Sequence, residues 1–182
     1  MSTLRKVFVA TALIFAVAIA LLGYRLFHGR IAKPLGNSPP VSFPSAGLSL
    51  QEKEKFLDGN FTIIKDMYAL PPSVLNVYTE KGGTRLLMAN PGERFEATDV
   101  ISDASVPRKR LIFAGVSDRK CFVHYEQGGF AHVYVLALFK VSSKEALEPI
   151  WRGYCGPAAN IQDLRSLVRA NQCSSSVPSR WD

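Results

Sequence analysis

The sequence lacks the short motifs that mark many catalytic and nucleotide-binding sites. It contains no G-x-S-x-G, P-loop, G-x-G-x-x-G or H-E-x-x-H pattern. Only three cysteines occur among its 182 residues, and no two of them have the C-x-x-C spacing. The cysteine spacing argues against a zinc ribbon and against a thioredoxin-like redox site. We expect no bound cofactor.

Acidic residues are absent from the first 33 positions, and this absence explains most of the net charge of +7. The basic residues of that stretch are Arg5, Lys6, Arg25, Arg30 and Lys33. Residues 34–182 therefore carry only +2, from 17 basic and 15 acidic side chains. Their one basic run, Arg108-Lys109-Arg110, is shorter than a typical polyanion-binding block. We expect no nucleic-acid partner.

An uncharged apolar run extends from Val7 to Gly23 and contains Thr11 as its only polar side chain. A helix over this run covers roughly 26 Å, which is close to the about 30 Å of a hydrocarbon core. Apolar residues as far as Phe27 can lengthen it, because Arg25 can direct its charge outward. We predict a basic tail at 1–6 and a transmembrane helix at 7–27.

A cleaved signal peptide is the alternative to a retained anchor. Ala18-Ile19-Ala20 fits an A-x-A cleavage site, but Leu21 and Leu22 continue the apolar run beyond it, which favours a signal anchor. The two flanks of the apolar run carry equal numbers of positive charges, so the positive-inside rule does not fix the orientation of the chain in the membrane. A basic tail followed directly by an apolar run resembles a signal sequence. We expect a single-pass membrane protein whose C-terminal domain is extracytoplasmic.

The remaining chain divides by composition. Residues 28–47 form a juxtamembrane and Pro-rich stalk, since PLGNSPPVSFPSAG favours polyproline II. A globular domain is predicted over 48–173 and a flexible tail over 174–182.

The pattern of the globular region predicts an α+β fold. Ser49 and Glu52 form a capping box that predicts a helix over 50–58, whereas 61–69 fits either helix or strand. Six runs rich in β-branched and aromatic residues then predict an antiparallel meander of about 5–6 strands. They are TRLLMAN, ERFEATDVI, RLIFAGVS, KCFVHYEQ, FAHVYVLALFKV and PIWRGYC. A second helix, capped by Asn160, is predicted to pack on the sheet.

One hairpin carries the best candidate for chemistry, with His124 and Glu126 before the turn and His132 after it. A two-residue Gly128-Gly129 turn places His124 on the face opposite His132. A three-residue loop pairs His124 with His132 across the two strands. This pairing puts both on the same face of the sheet and gathers an H-x-E…H cluster there. Only the second arrangement predicts a metal or proton-transfer site.

The three cysteines suggest one disulfide. Cys155 and Cys173 flank the last predicted helix, which spans about 20 Å, so a bridge needs both flanking loops to fold back. Cys121 is then left as a buried thiol in a strand. It lies an odd number of residues from His124, so the two are expected on opposite faces.

These observations predict a membrane-anchored protein that presents a small, non-catalytic binding or scaffolding domain to an unknown protein or small ligand. The alternative is a small membrane-tethered hydrolase or metal-dependent enzyme that uses His124, Glu126 and His132.

Overall fold

The computed structural model describes residues 41–45, 47–83, 85–101, 103–142 and 146–175. The predicted basic tail, membrane span and first part of the stalk lie outside these residues, as does the end of the predicted tail. Within the described ranges, no helix has the length and apolar character needed to cross a bilayer.

The described chain forms an α+β fold around one antiparallel sheet of five strands. The helical elements are α1 (Leu50–Leu57), a 3₁₀ helix (Met67–Ala69), α2 (Pro72–Val77) and α3 (Ile161–Arg169). The strands are β1 (Thr62–Ile64), β2 (Lys109–Val116), β3 (Lys120–Gln127), β4 (Val133–Val141) and β5 (Leu147–Cys155). The spatial order follows the chain order, and every neighbouring pair is antiparallel. This confirms the predicted α+β fold with an antiparallel meander.

Side-chain caps set the start of both longer helices. At α1, the Glu52 backbone N–H donates to the Ser49 hydroxyl, and the Ser49 backbone N–H donates to the Glu52 carboxylate at 2.8 Å. At α3, Asn160 Oδ1 accepts from the backbone N–H groups of Gln162 and Asp163. These contacts satisfy N–H groups that have no partner within the helix.

The prediction that the first two runs form strands was wrong. A different segment supplies β1, the remaining strand of the five. The described part of TRLLMAN forms only isolated bridges, such as Ala89 with Arg110, and ERFEATDVI forms no strand or bridge. The Glu93 carboxylate caps the turn by accepting from the Asn90 backbone N–H, so hydrogen bonding there is local rather than extended along a ladder. Strand β1 comes from segment 61–69, whose sequence pattern fits either helix or strand.

Helical layers cover both faces of the sheet. The α2 face, covered by the 3₁₀ helix and α2, holds a core that includes Met67, Val74, Tyr78, Cys121, Val123, Tyr125 and Val135. The α1/α3 face, covered by α1 and α3, holds a core that includes Phe56, Phe113, Phe122, Leu136, Trp151, Leu164 and Val168. Burial of apolar side chains on both faces is the main stabilising contribution.

Packing extends beyond both predicted borders of the globular domain. Phe43, within the predicted stalk, packs on Phe139 with the ring centroids 5.4 Å apart. Ser174, within the predicted tail, exchanges two backbone hydrogen bonds with Tyr154, at 2.7 and 2.9 Å. Both residues therefore belong to the folded unit.

Candidate functional site

A buried carboxylate lies near the end of β3. The Glu126 side chain is 10% exposed. Its Oε1 accepts from Arg110 Nε at 2.7 Å, and its Oε2 accepts from His132 Nε2 at 2.7 Å. Each carboxylate oxygen therefore already has a strong donor, and Arg110 balances the buried charge within the cluster.

A β-bulge in β2 brings Arg110 to this carboxylate. The pairing with β3 shifts between Leu111 and Phe113, which makes Ile112 the extra residue. Residues three apart in a regular strand face opposite sides of the sheet. The bulge instead puts Arg110 on the same face as Phe113, where it lies opposite Glu126.

A loop segment packs over the ion cluster. The Arg110 guanidinium lies 4.3 Å from the centroid of the Phe95 ring, and the Phe95 and His132 ring centroids are 5.8 Å apart. Gly128 permits this approach, because a Cβ at that position would collide with the Glu96 carbonyl oxygen. Phe95 thus shields one side of the cluster from water.

His124 shares a sheet face with Glu126 but has its own surroundings. Its ring is 0% exposed and packs edge-on against Phe113, with centroids 5.5 Å apart. Nδ1 lies 3.1 Å from the Val135 carbonyl oxygen, which accepts, so Nδ1 carries the proton of the neutral ring. Burial lowers the pKa of His124 to about 4, although the Val135 carbonyl and the Glu126 charge oppose this shift. His124 is therefore neutral at pH 7.

Neither hairpin register considered from the sequence occurs. Gln127 pairs with Val133, so residues 128–132 form a five-residue loop that contains His132. The Gly128 backbone N–H donates to the Arg108 carbonyl oxygen, which continues the pairing with β2 by one residue. The structure brings His132 to Glu126 from this loop. In the described part of the chain, no three His, Cys, Asp or Glu side chains are grouped to hold a metal ion.

Cys155 and Cys173 form a disulfide, with their Cα atoms 4.2 Å apart. The chain returns after α3 through Asn171, which has a positive φ of 56°. Ser174 then pairs with Tyr154, and this holds Cys173 beside the end of β5. The two loops that flank α3 therefore fold back, as the bridge requires.

A buried lysine ties α1 to this disulfide. Lys53 is 6% exposed, and its Nζ donates to the Cys173 carbonyl oxygen at 2.8 Å. The same ammonium lies 4.7 Å from the centroid of the Trp151 ring. Burial lowers the pKa of Lys53. Its contacts join helix, sheet and disulfide, which is a structural role.

Cys121 has the environment of an inert thiol. It is 0% exposed on the α2 face, whereas His124 lies on the α1/α3 face. Burial raises the pKa of Cys121 to about 12. A protonated, buried thiol without a base beside it is a poor nucleophile.

A groove of about 380 Å³ lies between α1 and α3, apart from the Glu126 cluster. Its lining carries both signs of charge and consists of Gln51, Glu54, Lys55, Leu57, Asp58, Arg165, Val168 and Arg169. Arg165 donates to the carbonyl oxygens of Leu57 and Gly59, so its guanidinium is already used to cap the C-terminal end of α1. The groove offers polar contacts but no reactive group.

Comparison with protein-family models, curated proteins and solved structures gives no match. Sequence reasoning missed Arg110 and Phe95 as neighbours of Glu126. The opposite charges of Arg110 and Glu126 are a cross-strand signal, but it becomes readable only when the register is known.

Proposed function

We propose that this chain is a single-pass membrane protein that presents a small, non-catalytic binding domain outside the cytoplasm. The observation that supports a non-catalytic role is that both oxygens of Glu126 already accept from internal donors, Arg110 and His132, at 2.7 Å each. A carboxylate that acts as a general base must be within reach of a substrate proton, and the Glu126 side chain is only 10% exposed. Glu126 instead stabilises the end of the sheet.

The other candidate reactive groups support the same proposal. His124 is neutral at pH 7, but its ring is fully buried and its Nδ1–H is bound to a backbone carbonyl. Cys121 is buried and protonated. Nucleophilic catalysis needs a nucleophile and a base within hydrogen-bond distance, and these side chains do not supply such a pair.

Two features support the location outside the cytoplasm. The sequence has a basic tail followed by an uncharged apolar run over 7–23, which suits the signal anchor expected at 7–27. The folded domain contains the Cys155–Cys173 disulfide, and stable disulfides are typical of oxidising compartments.

A membrane-tethered hydrolase or metal-dependent enzyme is the second candidate, and one observation favours it. The His132 side chain is 40% exposed and is hydrogen-bonded to Glu126. A carboxylate that orients a solvent-facing imidazole is the usual arrangement of a general base. This candidate needs His132 to work from the loop with His124 or a metal ion.

Metal analysis of the full-length chain, purified in a non-ionic detergent, separates the two candidates. We expect no stoichiometric zinc in the native chain, and no change in metal content in His124→Gln or His132→Gln. Stoichiometric zinc that either substitution removes would overturn the non-catalytic proposal. Carbonate extraction of membranes tests the anchor separately, because a spanning chain stays in the pellet and a peripheral chain is released.

A further inference from the structure

Two basic side chains, Lys109 and Arg152, lie near Tyr125 and Gln127 on the α2 face of the sheet. Arg152, from β5, donates through Nη2 to Gln127 Oε1 at 3.1 Å, and its charge opposes the rise that burial causes in the pKa of Tyr125. Lys109 lies directly opposite Gln127 in the β2–β3 pairing, and its Nζ is 5.9 Å from the Tyr125 ring centroid. Lys109 and Arg152 thus approach the same pair of β3 side chains from opposite sides.

No acidic partner for either cation occurs among the described residues. The ion pairs of the described residues involve other basic side chains and neither Lys109 nor Arg152. Those side chains are Arg85, Arg94, Arg110, His132 and Lys140. Both cations are only partly exposed. Burial and the charge of Arg152 together lower the pKa of Lys109. Two like charges held together in a partly dry site favour a bound counter-ion.

Two tyrosines of the α2-face core, Tyr78 and Tyr125, lie close enough to Arg152 for its charge to act on their hydroxyls. The Tyr78 hydroxyl is buried and has no hydrogen-bond partner within the described structure, and its ring packs edge-on against Tyr125 at 5.7 Å between centroids. Burial raises the pKa of both tyrosines, so each hydroxyl keeps its proton. Two cations with adjacent hydroxyl donors match the needs of an oxyanion.

We propose that Lys109 and Arg152 form a binding site for an oxyanionic group, a carboxylate or a phosphate, beside Gln127 on the α2 face. The inference rests on the proposal that this domain binds rather than catalyses, and it gives that binding a ligand class. The anion accepts from the guanidinium of Arg152 and from the ammonium of Lys109. The site is separate from Glu126, which lies on the α1/α3 face.

The test uses the full-length chain in a non-ionic detergent, titrated with inorganic phosphate and, separately, with acetate. Arginine Nε–H NMR signals report occupancy, and sodium chloride at the same ionic strength is the reference. We expect the Arg152 signal to move with at least one probe and not with chloride. The responding probe assigns the anion class. No movement with either probe, or equal movement with chloride, would overturn the proposal.

Three variants locate the site. Lys109→Gln should weaken binding about tenfold, because it removes one charge-assisted contact. Gln127→Glu places a carboxylate next to Arg152 without a change of shape, so it should abolish binding and raise the thermal midpoint. Arg119→Gln, an exposed residue in the β2–β3 turn, is the charge-matched control and should bind as the native chain does.

Unchanged binding in Gln127→Glu, or an equal loss in Arg119→Gln, would contradict the assignment. Because Gln127→Glu is expected to stabilise the fold, unfolding does not obscure this result. A negative anion-binding result does not change the outcome of the metal analysis or of the carbonate extraction. It is therefore distinguishable from a failure of the proposed function.

Discussion

Replacement of Glu126 by glutamine tests whether the buried carboxylate is a structural group. The substitution keeps the shape of the side chain but removes its charge. The amide oxygen can still accept from Arg110, and the amide nitrogen can donate to His132 if that ring changes tautomer. The main loss is therefore the charge that strengthens both contacts.

The geometry sets the expected size of this loss. Hydrogen bonds to charged groups contribute about 1.5–3 kcal/mol each. The side chains of Arg110 and His132 are 30% and 40% exposed, so water compensates part of what they lose. We therefore expect Glu126→Gln to lower the free energy of unfolding by about 2 kcal/mol.

Glu148→Gln is the matched control. The Glu148–Lys140 pair is longer, at 3.4 Å, and its side chains are 65% and 58% exposed. Exposed pairs of this kind contribute about 0–1 kcal/mol. The assay is denaturant unfolding of the full-length chain in a non-ionic detergent, followed by near-ultraviolet circular dichroism. If Glu126→Gln costs no more than Glu148→Gln, the carboxylate is not structural, and the main argument against a catalytic role is lost.

Three further predictions concern the fold around the candidate site. Gly128→Ala should destabilise by about 1–3 kcal/mol because its Cβ meets the Glu96 carbonyl, whereas Gly47→Ala meets only an ordinary contact; thermal midpoints of the two variants test this. Cys121 should resist maleimide at pH 8 until the protein unfolds, as mass spectrometry will show, and rapid labelling of the native chain would contradict its burial. The pKa of His124 falls from 6.5 to about 4 on folding, so between these values the unfolded state binds more protons than the folded state. The free energy of unfolding should therefore decrease as the pH falls through this range. His124→Phe should lack this part of the pH dependence.

The local signals of the sequence predicted the elements well. The Ser49 capping box and the Asn160 cap marked the starts of α1 and α3, because these interactions depend only on residues three or fewer apart. Four of the six predicted runs became β2 to β5, where large apolar side chains could be buried. The other two became loops, because turn-forming residues around Asn90 bind the backbone locally.

The site was harder to predict because it depends on register. Glu126 and His132 were candidates from the sequence, and the three-residue loop placed both on one face. Their contact instead runs through a five-residue loop that neither predicted turn has. The bulge at Ile112 leaves no clear mark in the apolar pattern, yet it determines which face Arg110 occupies. Pairings of this kind are set by tertiary contacts, which residue spacing alone does not encode.

The most direct test of the central claim is the membrane topology of the full-length chain. Alkaline phosphatase, which is active only after export, and a fluorescent protein that folds only in the cytosol are each fused after residue 182. A chain without residues 1–33, fused in the same two ways, is the control for export. We expect an active phosphatase in the membrane fraction and a dark fluorescent fusion, because the proposed topology puts the disulfide-containing domain outside the cytoplasm. An inactive phosphatase together with a bright fluorescent fusion would place the domain in the cytoplasm and contradict the account.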